Sequence, residues 1–357
     1  MKKEKLKGYM RFAVPAVLTA SAAALMISMP DYSARGVRNG LVICAQTVIP
    51  ALFPFCVLSS FFVRSGLCST LGKWLSPITK RIFALPGEAG GVMIMGFCGG
   101  FPVGASMAAQ LLENGTFSRD EAGRLMLFCV NAGPAFVIGA VGAGMLGSAG
   151  AGALLFCSLT AASLTVGILT RFMPRKEKNT DADALICVRP EPLSDALPAA
   201  VSQGTASTVS ICAWVLLFSC LLEYVPLLGL SESTDILLGC LLEVTKGCAG
   251  AVKLKRLPVL AAALGWGGVS VHCQVMRYVR AAKVPMPQFL CARAVNSALA
   301  ALICEGLLRL FPRSVQVFAS SAHQIPAVFS FSAPAAAAML FMGALLILEV
   351  DNRRKKC

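Results

Sequence analysis

Three stretches of this sequence set glycine and proline beside small polar side chains inside otherwise uncharged apolar runs. They are Gly96–Ser106 (GFCGGFPVGAS), Asn131-Ala132-Gly133-Pro134 and Gly265-Trp266-Gly267-Gly268. Such residues interrupt a helix, leaving free N–H groups at one new end and free carbonyls at the other. The amide end attracts anions and the carbonyl end attracts cations. Small residues let a solute approach the bared backbone, and nearby hydroxyl, amide or imidazole groups add hydrogen bonds. Gly99, Gly100, Pro102, Gly104, Ser106, Asn131, Gly133, Pro134, Gly267, Gly268, Ser270, His272, Gln274 and Asn296 are therefore the candidate solute-binding residues. The bland alternative is that these glycines only allow helices to pack closely. No catalytic or metal-ligating set stands out. There are 2 histidines, no carboxylate cluster, and 15 cysteines scattered from Cys44 to Cys357 without a C-x-x-C. They read as reduced, small packing residues.

The elements that must hold such breaks lie in a membrane. Hydrophobic residues make up 56% of the 357 and charged residues 14%, against about 25% charged in a soluble domain. Mean hydropathy is +0.72. A water-soluble fold of this size cannot hide that much apolar surface. The net charge of +14 falls between apolar runs, which favours lipid headgroups over nucleic acid as its partner.

A span needs about 20 apolar residues. Residues 12–29 are expected to form a retained first span, although they also resemble a secretory signal. Residues 41–63 form the next, carrying Pro50 and Pro54. Leu67, Leu71, Trp74, Leu75, Ile78, Ile82 and Leu85 recur at helical spacing among Lys73, Lys80 and Arg81, which predicts an amphipathic interfacial stretch. Residues 89–112 read as a re-entrant helical hairpin with its tip at Gly99–Gly104, because bared backbone survives only inside protein or along a watery cavity. Ser118-Arg119-Asp120-Glu121 is a capping box. It opens a helix leading into the uncharged run 125–170, two spans of which the first is broken at Asn131–Pro134. Glu113 and Arg119–Arg124 are expected in a solvated turn.

After a charged linker, 172–195, the order recurs. Residues 196–222 form a span, and a mixed segment with Glu223, Glu243, Lys246 and Lys253–Arg256 corresponds to the interfacial stretch; within it Glu243 fits either the interface or the wall of the cavity. Residues 257–276 form a second re-entrant hairpin around Gly265–Gly268. Spans follow at 288–310 and near 325–348. Arg293 and Glu305 lie within a span and are expected to pair, with each other or with another group. Gly99-Gly100-x-x-Val103 matches Gly267-Gly268-x-x-Val271, and Leu85-Pro86 matches Leu257-Pro258. The expected fold is an all-α polytopic membrane protein of about seven spans. It is an inverted repeat with two re-entrant hairpins and broken transmembrane helices. Its parts are an N-terminal span and connector (1–39), a first repeat (40–171), the linker (172–195), a second, inverted repeat (196–350) and a basic tail (351–357). Lysine and arginine divide too evenly to fix the orientation.

The run GFCGGFPVGASMAAQLLENGTFSRDEAGRL followed by NAGPAFVIGAVGAGMLG resembles the YlbJ-like sporulation integral membrane proteins, which carry the nucleoside-recognition Gate domain. Residues 85–147 carry the strongest likeness, with 202–214 and 242–250 resembling the family's second half. The Gate domain is in turn similar to part of the concentrative nucleoside transporters. The resemblance implies a transporter of the outer forespore membrane, linked to moving dipicolinic acid, a flat aromatic dianion. A glutamine–threonine–glutamate tip that would read a nucleobase is absent, so nucleoside transport fits less well. The expectation is a secondary transporter working by alternating access on a small anionic solute. Its rival is a non-transporting scaffold or regulator of spore maturation. No enzyme activity and no cofactor are expected; without a P-loop pattern, energy would come from a gradient of Na+ or H+, or from a partner. Other copies of the chain, or other sporulation membrane proteins, stay open as partners.

Overall fold

The computed structural model describes residues 13, 16, 17, 19–173 and 191–311. Among them every regular element is helical. Helix α1 (Thr19–Ser28) is the described part of the expected first span. Helix α2 (Pro30–Ile43) continues through a π-helical segment (Cys44–Val48) into α3 (Ile49–Arg64). Pro50, in the first turn of α3, has no N–H for the preceding turn, and the ladder widens there to i→i+5. Residue 40, the expected start of the first repeat, lies inside α2.

Helix α4 (Leu67–Ile78) and a π segment (Thr79–Phe83) form the amphipathic stretch. Trp74 is 82% exposed on its outer face. Helices α5 (Ala89–Gly99) and α6 (Phe101–Glu113) fold back on each other about Gly100. A Cβ on Gly96 would lie 3.1 Å from the Gly104 Cα, which is how closely the two backbones pass. Helix α7 (Arg119–Phe128) begins at the expected capping box: the Ser118 N–H donates to Glu121 Oε2 at 2.8 Å, and the Glu121 N–H donates to Ser118 Oγ at 3.3 Å. It stops at Cys129, the chain runs irregularly to Gly133, and a π helix (Ala135–Met145) follows before α8 (Ala149–Thr170).

Beyond the linker come α9 (Leu193–Leu222), α10 (Glu232–Leu242), α11 (Val244–Ala251), α12 (Leu257–Trp266), α13 (Gly268–Ala281) and α14 (Met286–Leu310). Among the described residues five helical stretches are long and apolar enough to cross a membrane: Pro30–Arg64, Ala149–Thr170, Leu193–Leu228, Leu257–Ala281 and Met286–Leu310. The expected span at 325–348, the tail and most of the linker lie outside the described residues.

Two long rods frame the molecule. Gly36 lies against the backbone of Ser219 and Cys220, Gly40 against Leu216, and Gly204 of α9 against Val57. The partner number falls as the first rises, so α2–α3 and α9 run antiparallel. On the other side α14 packs on α8 and α12.

The second half departs from expectation. Helices α12 and α13 meet at Gly267 (φ +87°) but do not fold back on each other: α12 lies on α14, and α13 lies on α6 and α9. The folded-back pair is α10–α11, in the segment read as interfacial, and Glu243 forms its turn. A Cβ on Gly247 would lie 2.5 Å from the Cys240 Cα. The match of Gly99-Gly100 with Gly267-Gly268 therefore joins unlike elements, a hairpin turn and a helix break. Arg124 is buried rather than in a solvated turn. Its guanidinium donates to the Ala84 carbonyl at 3.0 Å and to the Phe83 carbonyl, where the π segment ends.

Candidate solute site between two hairpin tips

Each hairpin tip is seated on a helix break. A Cβ on Gly133, in the first break, would lie 2.9 Å from both the Cys98 carbonyl oxygen and the Gly100 nitrogen. A Cβ on Gly268, at the second break, would lie 3.0 Å from the Val244 nitrogen and 3.2 Å from the Glu243 Cα. The tips also reach across: the Phe101 ring packs on Gly267, its Cε1 3.0 Å from where a Cβ would stand. Glycine at these contacts lets backbone meet backbone.

Between them lies a cavity of about 50 Å3, room for a few water molecules. Gly100, Phe101 and Pro102 of the first tip, Ala132, Gly133 and Phe136 of the first break, and Glu243, Val244 and Thr245 of the second tip line it. Val271 and Gln274 of α13 close one side; Thr47, Val48, Ala51, Leu52, Ile211 and Val215 of the two rods close the other. The walls are mainly apolar. Polar groups come from Thr47, Thr245, Gln274 and Glu243, the one titratable residue of the lining.

The tips differ chemically. Helix α6 starts at the cavity without a side-chain cap; Pro102 has no N–H and the Val103 N–H donates to the Gly100 carbonyl at 3.1 Å, so the positive end of the helix dipole, more than a row of amides, faces an anion there. Helix α11 starts there too, but Glu243 caps it, its Oε2 accepting the Lys246 N–H at 2.8 Å. Glu243 is 1% exposed. The nearest cation does not neutralise it: Lys246 Nζ lies 2.6 Å from Glu223 Oε1.

Of the residues singled out in the sequence, Gly100, Pro102, Gly133 and Gln274 line this cavity. Pro102 also borders a smaller one with Ser106, whose hydroxyl accepts from Gln110 Nε2 at 3.3 Å. Gly99 packs on Val103, and Gly104 meets the Cys129 carbonyl at the start of the first break. Pro134 precedes the π helix after that break.

Asn131 and Asn296 hold the breaks rather than face the cavity. Asn131 Nδ2 donates to the Phe128 carbonyl at 2.7 Å, and Asn296 Nδ2 donates to the Gly265 carbonyl at 3.1 Å. Each quiets a carbonyl at the end of a broken helix. Ser163 of α8 joins the two, its Oγ 2.6 Å from Asn131 Oδ1 and 3.0 Å from Asn296 Oδ1. Arg293, fully buried, donates to the same Gly265 carbonyl; Glu305 pairs instead with Arg309 at 3.3 Å. His272 sits between the Trp266 and Phe289 rings, with Nε2 2.9 Å from the Trp266 carbonyl oxygen. Ser270 is buried.

Glu243, which the sequence leaves open between an interfacial place and the cavity wall, lines the cavity. Its signal is in the spacing: Gly239 and Gly247 flank it as Gly96 and Gly104 flank Gly100. Among the described residues no group of three or more His, Cys, Asp or Glu could hold a metal ion.

Residues 45–149 match the family model described as Gate, nucleoside recognition. That segment holds α3, the first hairpin, the first break and the π helix after it. No solved structure matches the chain. The sporulation integral membrane protein YlbJ of Bacillus subtilis (strain 168) is 28% identical over 78% of this chain and 78% of its own. Residues 45–149 are thus similar to the Gate family model, and the chain is similar over most of its length to a sporulation integral membrane protein.

Proposed function

We propose that the protein is an integral membrane secondary transporter that moves a small anionic solute by alternating access. The observation that carries this reading is the single cavity framed by both hairpin tips, the first break and the helix that follows the second. In each half a hairpin precedes a broken helix and a long helix, in the order α5–α6, α7, α8 and then α10–α11, α12–α13, α14. In this reading the halves are inverted repeats and the hairpins are re-entrant. Rocking one half against the other then opens the cavity to alternate sides.

The solute class follows from the lining. Apolar walls with Phe101 and Phe136 suit a flat ring, and the uncapped amino end of α6 with Gln274 and Thr245 suits carboxylate oxygens. Dipicolinic acid has this chemistry, and the similarity to a sporulation membrane protein supports it, with the outer forespore membrane as the place of action. Radiolabelled dipicolinate uptake into proteoliposomes of the purified protein tests the proposal. Saturable counterflow is expected. Flux no greater than in protein-free vesicles would leave the scaffold reading instead, and flux of nucleosides alone would reassign the solute.

A further inference from the structure

We infer that Glu243 is the proton-carrying group of this site: the anionic solute binds when the Glu243 carboxyl is protonated, so that solute and proton cross together. The inference rests on the transporter reading and names its coupling ion. A carboxylate in the wall of a site for an anion is a contradiction unless its charge is removed. Nothing among the described residues removes it by pairing. Glu243 is buried, its carboxylate taking hydrogen bonds from the Lys246 and Thr245 amides and the Thr245 hydroxyl, and the Lys246 charge bears on it from a distance without an ion pair. The Lys246 ammonium, on the same helix, is held by Glu223, which also accepts from Asn39 Nδ2 at 3.2 Å. The charge of Glu243 in turn bears on the thiols of Cys248 on α11 and Cys44 on the π segment after α2. The surfaces that α3, α6, the first break, α9 and α13 turn to the cavity bring no charge.

A carboxyl in this position has two stable conditions. With the site empty it can ionise as water enters. With an anion beside it, like charge favours its taking a proton. Solute binding then raises the carboxyl's proton occupancy, and by linkage the proton raises solute affinity by the same factor. The hairpin tip is where such a group can act, because it rests on the second break through Gly268. Neutralising it also relieves repulsion between the tip and the solute.

The test uses purified full-length protein in detergent and in proteoliposomes, with dipicolinate as the probe. For wild type, dipicolinate affinity is expected to fall about tenfold per pH unit once the carboxyl ionises, and a pH-sensitive dye should report proton uptake on binding. An inward proton gradient should drive accumulation. Glu243→Gln, whose carboxamide mimics the protonated acid and can still accept the Lys246 N–H, should bind with pH-independent affinity and without proton uptake. Glu243→Asp should keep the pH profile. A Glu243→Gln protein that elutes as wild type but no longer binds dipicolinate, or binds it with the wild-type pH profile, overturns the inference. Wild-type binding without proton uptake overturns it as well, while leaving the transporter reading in place. If wild type neither binds nor moves dipicolinate, the solute assignment falls and takes the proton link with it.

Discussion

The two hairpins solve one packing problem with different chemistry. In each, glycines four residues either side of the turn let two helices touch backbone to backbone, Gly96 and Gly104 in the first, Gly239 and Gly247 in the second. The turns themselves share nothing. Gly100 adopts φ +91° and ψ 179°, a region essentially closed to residues with a side chain. It leaves α6 uncapped. Glu243 turns the chain in an ordinary extended conformation (φ −142°, ψ 120°) and caps the next helix with its own carboxylate. One tip thus presents an uncapped helix amino end to the cavity, and the other presents an acid. A hairpin's shape is set by its flanking small residues, while its tip stays free to vary with function.

The flanking glycines give the largest expected effect. A Cβ at residue 104 would lie 2.3 Å from the Cys129 carbonyl oxygen, and one at 247 would lie 2.5 Å from the Cys240 Cα. Both obstacles are backbone and cannot rotate away. Overpacking in a core costs about 1–3 kcal/mol and occasionally more; Gly104→Val and Gly247→Val should both fall at or beyond the top of that range. Thermal unfolding followed by size-exclusion fluorescence reads this directly. Equal losses would fit the two pairs being packed alike. A stable Gly247→Val protein would mean that α10 and α11 do not pack as described and would break the comparison.

The next effect separates the tips by function. Gly100→Trp places an indole where Leu52 and Gly133 already stand, with a Cβ 2.8 Å from Leu52 Cδ2, and fills the cavity from the first tip. Dipicolinate counterflow should drop to the protein-free level while the protein still inserts in the membrane, with a lower melting temperature because a side chain at residue 100 must hold φ +91°. Normal flux in that variant would move the solute path away from the first tip, and the likeness of the two tips would cease to bear on transport.

The same contrast explains what was legible in the sequence. The first hairpin turn, the first break and the capping box at Ser118 could be read because glycine, proline and a Ser-x-x-Glu pattern each leave a local mark. The second break was also marked, by Gly267 and Gly268, but its meaning was misread. A glycine pair signals that a helix stops, and says nothing of whether the chain folds back or runs on; packing against α6, α9 and α14 decides that. The second turn carried neither glycine nor proline, since Glu243 needs no unusual φ, and its charged neighbours suggested an interface. Asn131 and Asn296 stand beside the breaks in the sequence, yet Asn131, capping the Phe128 carbonyl, is held by Ser163 32 residues on, and Asn296 caps the Gly265 carbonyl 31 residues back. Pattern reading does not reach so far.

The smallest effect tests what ties the second tip to the frame. Lys246, three residues past Glu243, binds Glu223 at the end of α9 at 2.6 Å, with the side chains 28% and 19% exposed. No such ion pair anchors the first tip among the described residues. Water reaches both groups, which limits the pair's worth to about 0.2–1 kcal/mol. Lys246→Met leaves Glu223 its Asn39 partner, so melting should shift by a degree or two, and high salt should shrink the difference between variant and wild type. The backbone N–H of residue 246 remains to receive the Glu243 carboxylate, so the α11 cap survives the change. A loss as large as that of Gly247→Val would mean that the ammonium acts on Glu243 itself. The second tip would then be a neutralised ion pair, and the contrast between an uncapped amino-end tip and an acid tip would have to be redrawn.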